Sequence, residues 1–203
     1  MSTLDVLQPF VGKNDIREYL RAPWRDAGFI YASNGRWIVR IPDDGREVAE
    51  RGPSHPKAAQ LFAKFVRDGS QFTACPVVPS AKLAGHICTI CKGRGKVRVS
   101  DCDDCDGKGY FLHGRHEYDC RECNESGKLA NESAEPTDCQ SCDGTGERSD
   151  VGVEFNSAFI GAHYARHIAT LPGVTVSTLS DPAQAVVFKF DGGEGLLMQR
   201  RKD

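Results

Sequence analysis

The sequence predicts an α+β fold, an antiparallel sheet with helices, interrupted by an inserted module of β-hairpins. Three observations carry the prediction. Short alternating apolar runs and helical-period segments fill both ends of the 203-residue chain, residues 1–84 and 149–203. Eight of the nine cysteines crowd into the stretch between them, from Cys88 to Cys142. Neither end alone holds enough apolar sequence for a sizeable core, so the two are expected to complete one discontinuous domain around an insertion at 85–148. The composition, 39% hydrophobic and 27% charged, suits a soluble globular chain.

From the start, Ser2–Phe10 and Asn14–Arg21 read as short helices, the second capped by Asn14 or Asp15 and stopped by Pro23. Ala27–Ile41 holds two β-rich runs about Asn34-Gly35, a strong hairpin signal because both residues tolerate left-handed backbone. Trp24 and Trp37 are expected to pack in the core or on the hairpin. Pro42–Pro53, charged and glycine-containing, reads as a loop. His55-Pro56-Lys57 opens a helix to Val66 with Ala58, Leu61, Phe62 and Phe65 at helical spacing. Phe72–Val78 reads as a strand, its Cys75 as a small buried hydrophobe.

The insertion contains four Cys-x-x-Cys pairs: Cys88/Cys91, Cys102/Cys105, Cys120/Cys123 and Cys139/Cys142. Three continue as Cys-x-x-Cys-x-Gly-x-Gly, with Gly93/Gly95, Gly107/Gly109 and Gly144/Gly146. The third has Glu125 at the first glycine position and keeps Gly127. Two cysteines at this spacing bend round one ion, and two such pairs complete a tetrahedral four-sulfur shell. Eight cysteines therefore predict two structural zinc ions, each closed to substrate. A disulfide framework competes, but the even spacing and the lack of a secretory-type leader favour metal in a reducing cytoplasm. Spacing alone leaves open whether the pairs combine sequentially or in nested order.

Residues 86–148 carry 9 Lys/Arg and 13 Asp/Glu, and two four-thiolate zinc sites would take the stretch to about −8. Phosphate binding needs the opposite sign. One exception is Lys92, Arg94, Lys96 and Arg98, which alternate so that a strand would place all four on one face, either solvated or touching phosphate or an acidic partner.

The fourfold repeat resembles the central cysteine-rich domain of DnaJ-type co-chaperones, over about residues 86–148. The resemblance implies an elongated hairpin module in which the first and fourth repeats share one zinc and the second and third the other. Carried over, Cys88, Cys91, Cys139 and Cys142 form one site, and Cys102, Cys105, Cys120 and Cys123 the second. It also implies binding to unfolded polypeptide or a heat-shock chaperone. The J-domain of that family is missing here: its His-Pro-Asp is matched only by His55-Pro56-Lys57, preceded by a hairpin rather than a long helix.

After the insertion, Val151–Phe155 reads as a strand, and Asn156 or Ser157 caps a helix to about Leu171, ended by Pro172-Gly173. Its stripe includes Phe159, Ile160, His163, Tyr164, His167 and Ile168; the two histidines, four apart, are expected to pack rather than hold metal. Val174–Leu179, Ala185–Phe190 and Leu196–Gln199 read as strands, separated by Ser180-Asp-Pro182 and Asp191-Gly-Gly193, before the basic Arg200-Arg201-Lys202. This order, with Gly195-Leu-Leu-Met198 in the last strand, weakly resembles half a domain of a bacterial DNA sliding clamp.

No nucleophile-elbow serine, phosphate-cradling glycine loop or His-Glu-x-x-His helix is found, and no enzymatic role is expected. The leading expectation is a zinc-stabilised protein-binding module, partnered by unfolded polypeptide or a chaperone, with Tyr110, Phe111 and Tyr118 able to meet an extended peptide. A nucleic-acid-associated or replication accessory role is the alternative, disfavoured by the acidic module. Thiol–disulfide exchange is weaker still. No run of residues is long and apolar enough to predict a membrane span.

Overall fold

The computed structural model describes residues 3–13, 15–66, 71–177 and 185–201, and divides the chain into two compact units: Met1–Ala84 with Ser149–Asp203, and Gly85–Arg148. The expected Asn14 cap, the Ser180-Asp-Pro182 turn and Lys202 lie outside the described residues. Along the first part run helix α1 (Thr3–Leu7) and strands β1 (Trp24–Asp26), β2 (Phe29–Ser33), β3 (Trp37–Pro42) and β4 (Ala49–Glu50). Helix α2 (Ala58–Phe65) and β5 (Phe72–Ala74) follow. The Gly85–Arg148 unit holds β6 (Lys96–Val97), β7 (Val99–Asp101), β8 (Tyr110–His113), β9 (His116–Asp119), β10 (Lys128–Ala130) and β11 (Thr137–Asp138). The last part adds β12 (Gly152–Phe155), β13 (Ala158–Gly161), α3 (Ala162–Ala169), β14 (Thr175–Ser177), β15 (Val186–Phe190) and β16 (Gly193–Leu197).

The fold is α+β. An eight-stranded sheet in the order β4-β1-β2-β3-β16-β15-β14-β5 forms the larger unit, antiparallel except for the β1–β4 pair. Its centre joins the two ends of the chain, β3 to β16, where Arg40 lies opposite Glu194. Their side chains form an ion pair with Nε–Oε1 at 2.8 Å, and the Arg40 guanidinium stands 4.2 Å from the ring centres of both Phe29 and Phe62.

Period-two alternation buries both sheet faces. Ile30, Ala32, Val39, Ile41, Val186 and Phe188 turn to one side, where Leu7, Phe10, Phe155, Ile160, Ala165 and Ile168 cover them. Tyr31, Ile38, Val187 and Leu196 turn to the other, under Leu20, Trp24 and the α2 residues Ala58 and Phe62. Trp37 packs on Phe10 and donates its indole N–H to the Phe10 carbonyl at 3.2 Å. Cys75 packs half-buried against the first layer, and burial pushes its thiol up.

Several expectations are corrected. The Pro42–Pro53 loop contains β4, paired to β1, and the Phe72–Val78 strand ends at Ala74. The Asn14–Arg21 helix is reduced to a single 3-10 turn, Glu18–Leu20. A strand at Trp24–Asp26 precedes the predicted hairpin, because Ala27 and Gly28, both left-handed, close a second tight turn. The helix expected from Asn156 starts at Ala162. Asn156 is left-handed at φ 55 and turns the chain back into β13, leaving the helix only its last two turns. The final strand begins at Gly193, since the rings of Phe188 and Phe190 lie over their cross-strand partners Gly195 and Gly193 and supply the missing side-chain packing.

Candidate metal centres

The Gly85–Arg148 unit is a nest of antiparallel arms. Ile87 bridges Glu147, β6 pairs β11, β7 pairs β10, and β8 pairs β9. A chain folded back on itself in this way brings its first cysteine pair beside its fourth and its second beside its third. Two groups result, Cys88, Cys91, Cys139 and Cys142, and Cys102, Cys105, Cys120 and Cys123, with the sulfurs of each group within 4.8 Å of one another. The nested order that spacing left open is the order observed.

Each group is built from two turns of one design. The residue after the second cysteine is left-handed in all four: Lys92, Asp106, Asn124 and Asp143. The next is left-handed too, and bonds back to the first cysteine, as in Gly107 N–H to the Cys102 carbonyl at 3.0 Å and Glu125 N–H to that of Cys120 at 3.0 Å. Two positions further, a glycine N–H donates to the second cysteine's sulfur: Gly95 to Cys91 at 3.3 Å, Gly109 to Cys105 at 3.1 Å, Gly127 to Cys123 at 3.2 Å and Gly146 to Cys142 at 3.3 Å.

Reciprocal backbone bonds lock the turns in pairs. Cys88 N–H donates to Gly146 and Cys139 N–H to Gly95, while Cys102 N–H donates to Gly127 and Cys120 N–H to Gly109, all at 2.8–2.9 Å. Backbones this close leave no room at the second glycine. A Cβ at Gly95 or Gly146 would stand within 3.0 Å of the carbonyl oxygen of Gly144 or Gly93, and one at Gly109 or Gly127 within 3.0 Å of that of Glu125 or Gly107. At the first glycine position a Cβ would meet no backbone, only side chains such as Ile87, Asp101 or Asp138, and Glu125 occupies it at φ 65.

The donor set fits a tetrahedral metal. All eight cysteines are at most 5% exposed and none forms a disulfide. Sulfurs from opposite turns stand 3.7 Å apart for Cys91–Cys142, 3.9 Å for Cys102–Cys120 and 3.8 Å for Cys105–Cys123. An ion about 2.3 Å from each of four tetrahedral sulfurs sets them about 3.8 Å apart, whereas a disulfide needs about 2 Å. Burial pushes the Cys102 and Cys142 thiols up to about 12. At Cys91 burial also opposes ionisation, but the Gly95 amide and the neighbouring thiols bring it down to about 7. Four such groups do not ionise together unless a cation offsets their charge, as a divalent ion held there would.

The other predicted contact residues are placed differently. The single basic face is corrected: Lys92 sits in the left-handed turn, Arg94 donates Nε–H to the Cys91 carbonyl at 3.1 Å, and only Lys96 lies on β6. Arg98 binds the carbonyls of Glu132 and Ala134 at 3.2 and 2.8 Å. Phe111 pairs across the hairpin with Tyr118, both exposed, with Leu112 also exposed and Tyr110 half-buried.

His163 and His167 lie on α3 against the core, where His167 meets Phe10 and Trp37. His163 Nδ1 and His167 Nε2 are buried without hydrogen-bond partners among the described residues. Burial drives His163 down to about 4, aided by repulsion from Arg200, Arg166 and His167, and burial lowers His167 as well. An unfolded histidine titrates near 6.5, so the unfolded chain gains protons first as the pH falls. Stability is thus full above about 6.5 and declines toward pH 4. Denaturation midpoints between pH 7 and 4 are expected to fall more steeply for wild type than for His163→Leu, by up to about 3 kcal/mol of stability. Parallel profiles would refute this.

No helix among the described residues is long and apolar enough to cross a membrane. No protein-family model matches the sequence, and no curated protein matches it. Among solved structures, the chain is similar to the crystal structure of the DNA polymerase sliding clamp from Pseudomonas aeruginosa, at 14% identity and a TM-score of 0.36. The match covers 99% of this chain and 65% of that one, so this chain spans just under two thirds of that protein's length.

Proposed function

We propose that Gly85–Arg148 is a structural two-zinc module of the DnaJ cysteine-rich type, inserted in a discontinuous α+β domain, and that the chain acts by binding protein rather than by catalysis. The observation that carries this is the pair of closed four-cysteine sites, assembled from reciprocal turns in nested order. Four thiolates saturate a tetrahedral zinc, so the metal holds the fold and offers no position to substrate. The same closure disfavours thiol exchange, because a thiolate committed to zinc is a poor nucleophile until the metal leaves.

The binding surface we favour is the β8–β9 hairpin. It is a two-stranded sheet with Phe111 and Tyr118 side by side on one face and Leu112 on the other. An extended, non-native segment adds to such a strand edge through backbone bonds, with the aromatic pair gripping its side chains. The acidic excess of the module weighs against direct phosphate contact. The test is light scattering of a chemically unfolded client diluted into the zinc-loaded protein. At equimolar ratio, aggregation is expected to fall by more than half, and Phe111→Ser with Tyr118→Ser, or chelation, to abolish the effect. Undiminished aggregation, together with a salt-sensitive shift of a DNA fragment, would favour the nucleic-acid reading instead.

A further inference from the structure

The larger unit carries a groove of about 810 Å³ that has no part in the metal sites. Its floor is aliphatic and aromatic: Leu20, Ile38 and Leu196 from the second core layer, extended outward by Leu61, Phe65 and Met198. Leu61 is 37% and Met198 58% exposed, so apolar surface continues to the solvent edge. Five cations line the rim, Arg17, Arg36, Lys64, Arg200 and Arg201, and no Asp or Glu is among the lining residues.

The cations differ in how they are held. Arg17 is bidentate to Asp15, with Nη2–Oδ2 at 2.7 Å and Nε–Oδ1 at 2.8 Å, and Arg200 donates to the Ser149 carbonyl at 3.0 Å. Arg36 and Arg201 are exposed and form no ion pair among the described residues. An apolar trough with cations left over at its rim is complementary to one kind of occupant. From this geometry we infer that the groove is a docking site for an acidic peptide segment of a partner protein, with apolar side chains in the trough and carboxylates on Arg36 and Arg201.

Two features set a peptide above a nucleic acid strand. Single strands bind through exposed aromatic platforms, but Trp37 is 5% exposed and its ring faces Phe10 and Tyr164. The ring of Tyr19 packs beside that of His55. Phe65 is half-buried with the Lys64 ammonium 5.0 Å from its ring centre, and the exposed floor is Leu61 and Met198, which suit aliphatic side chains. Both strands under the groove, β3 and β16, are paired on both sides, so recognition runs through side chains rather than strand addition.

The test uses the full zinc-loaded chain and a fluorescein-labelled octapeptide of alternating aspartate and leucine, read by anisotropy. A Kd on the order of 10–100 µM is expected, weakening as salt is raised. Arg36→Glu with Arg201→Glu is expected to weaken it at least tenfold, and Met198→Glu to a similar degree. These side chains are exposed, so thermal midpoints should stay unchanged, which separates lost docking from lost folding. No saturation up to millimolar peptide, equal affinity for the lysine–leucine counterpart, or tighter binding of a ten-nucleotide oligothymidine that displaces the peptide would each overturn the proposal. So would charge reversals that leave affinity unchanged.

Discussion

Replacing Cys91 and Cys142 together by serine is expected to remove one metal ion from the protein and leave the second fully bound. Both residues belong to one group of four, and the other group keeps all its sulfurs. If the first pair combined with the second and the third with the fourth, the same variant would cripple both sites and leave neither ion tightly held. Metal content by native mass spectrometry distinguishes one ion from none. The effect is large because the module has almost no other core. Its two buried clusters consist of four cysteines each, joined only by the half-buried Val97 in one and Leu129 in the other. Structural zinc contributes roughly 10–16 kcal/mol of apparent folding free energy in comparable small domains. Losing it should dissolve the local turns. The eight-stranded sheet draws every strand from outside 85–148, so chelation is expected to erase the module's amide protection while the sheet retains its own. Simultaneous loss of both would contradict that separation.

Substitutions at the two glycine positions of the repeat are expected to have opposite signs. Gly127→Ala forces a methyl against the Gly107 carbonyl and imposes a left-handed alanine at φ 68. The strain of a non-glycine residue there is about 1–2 kcal/mol and the overpacking adds about 1–3 kcal/mol. Because Gly127 also donates to the Cys123 sulfur and accepts from Cys102 N–H, the distortion falls on the metal shell itself. Glu125→Gly relieves a left-handed glutamate without touching the close approach, and is expected to stabilise the second site by about 1 kcal/mol. Competition against a chromogenic chelator reads both: zinc leaves Gly127→Ala at lower chelator concentration than wild type, and Glu125→Gly at higher. Equal retention in all three would refute the steric account.

The cysteine pairs and the Asn34-Gly35 hairpin were legible because each is a local signal, complete within a few residues. The partner of each pair came only from the resemblance and not from spacing, because it is chosen by backbone bonds such as Cys139 N–H to Gly95, which no spacing encodes. The β1 strand escaped because Arg25 and Asp26 look like loop residues. In the fold Arg25 is neutralised by Asp43 at 2.6 Å and Asp26 pairs with Arg51 at 3.7 Å, so tertiary contacts make the strand. Asn156 resembled a helix cap because the same short polar side chain suits both a cap and a left-handed turn. The groove was invisible in sequence: its floor joins Leu20, Ile38, Leu61 and Leu196, which only the sheet order brings together.

That sheet order also bears on how the chain is made. Strands β1–β3 emerge first from a ribosome, yet β3 must hold its inner edge open until β16, more than 150 residues later, arrives to close it. β5 waits likewise for β14. Meanwhile the last cysteine, Cys142, is already synthesised, so the metal module can mature while the larger unit is still half a sheet. Contacts of such long sequence separation form slowly and leave pairing edges exposed in the interval. A nascent chain of this protein thus passes through a stage with all eight module cysteines made and an unfinished sheet, and its exposure to misassembly is set by the time between β3 and β16.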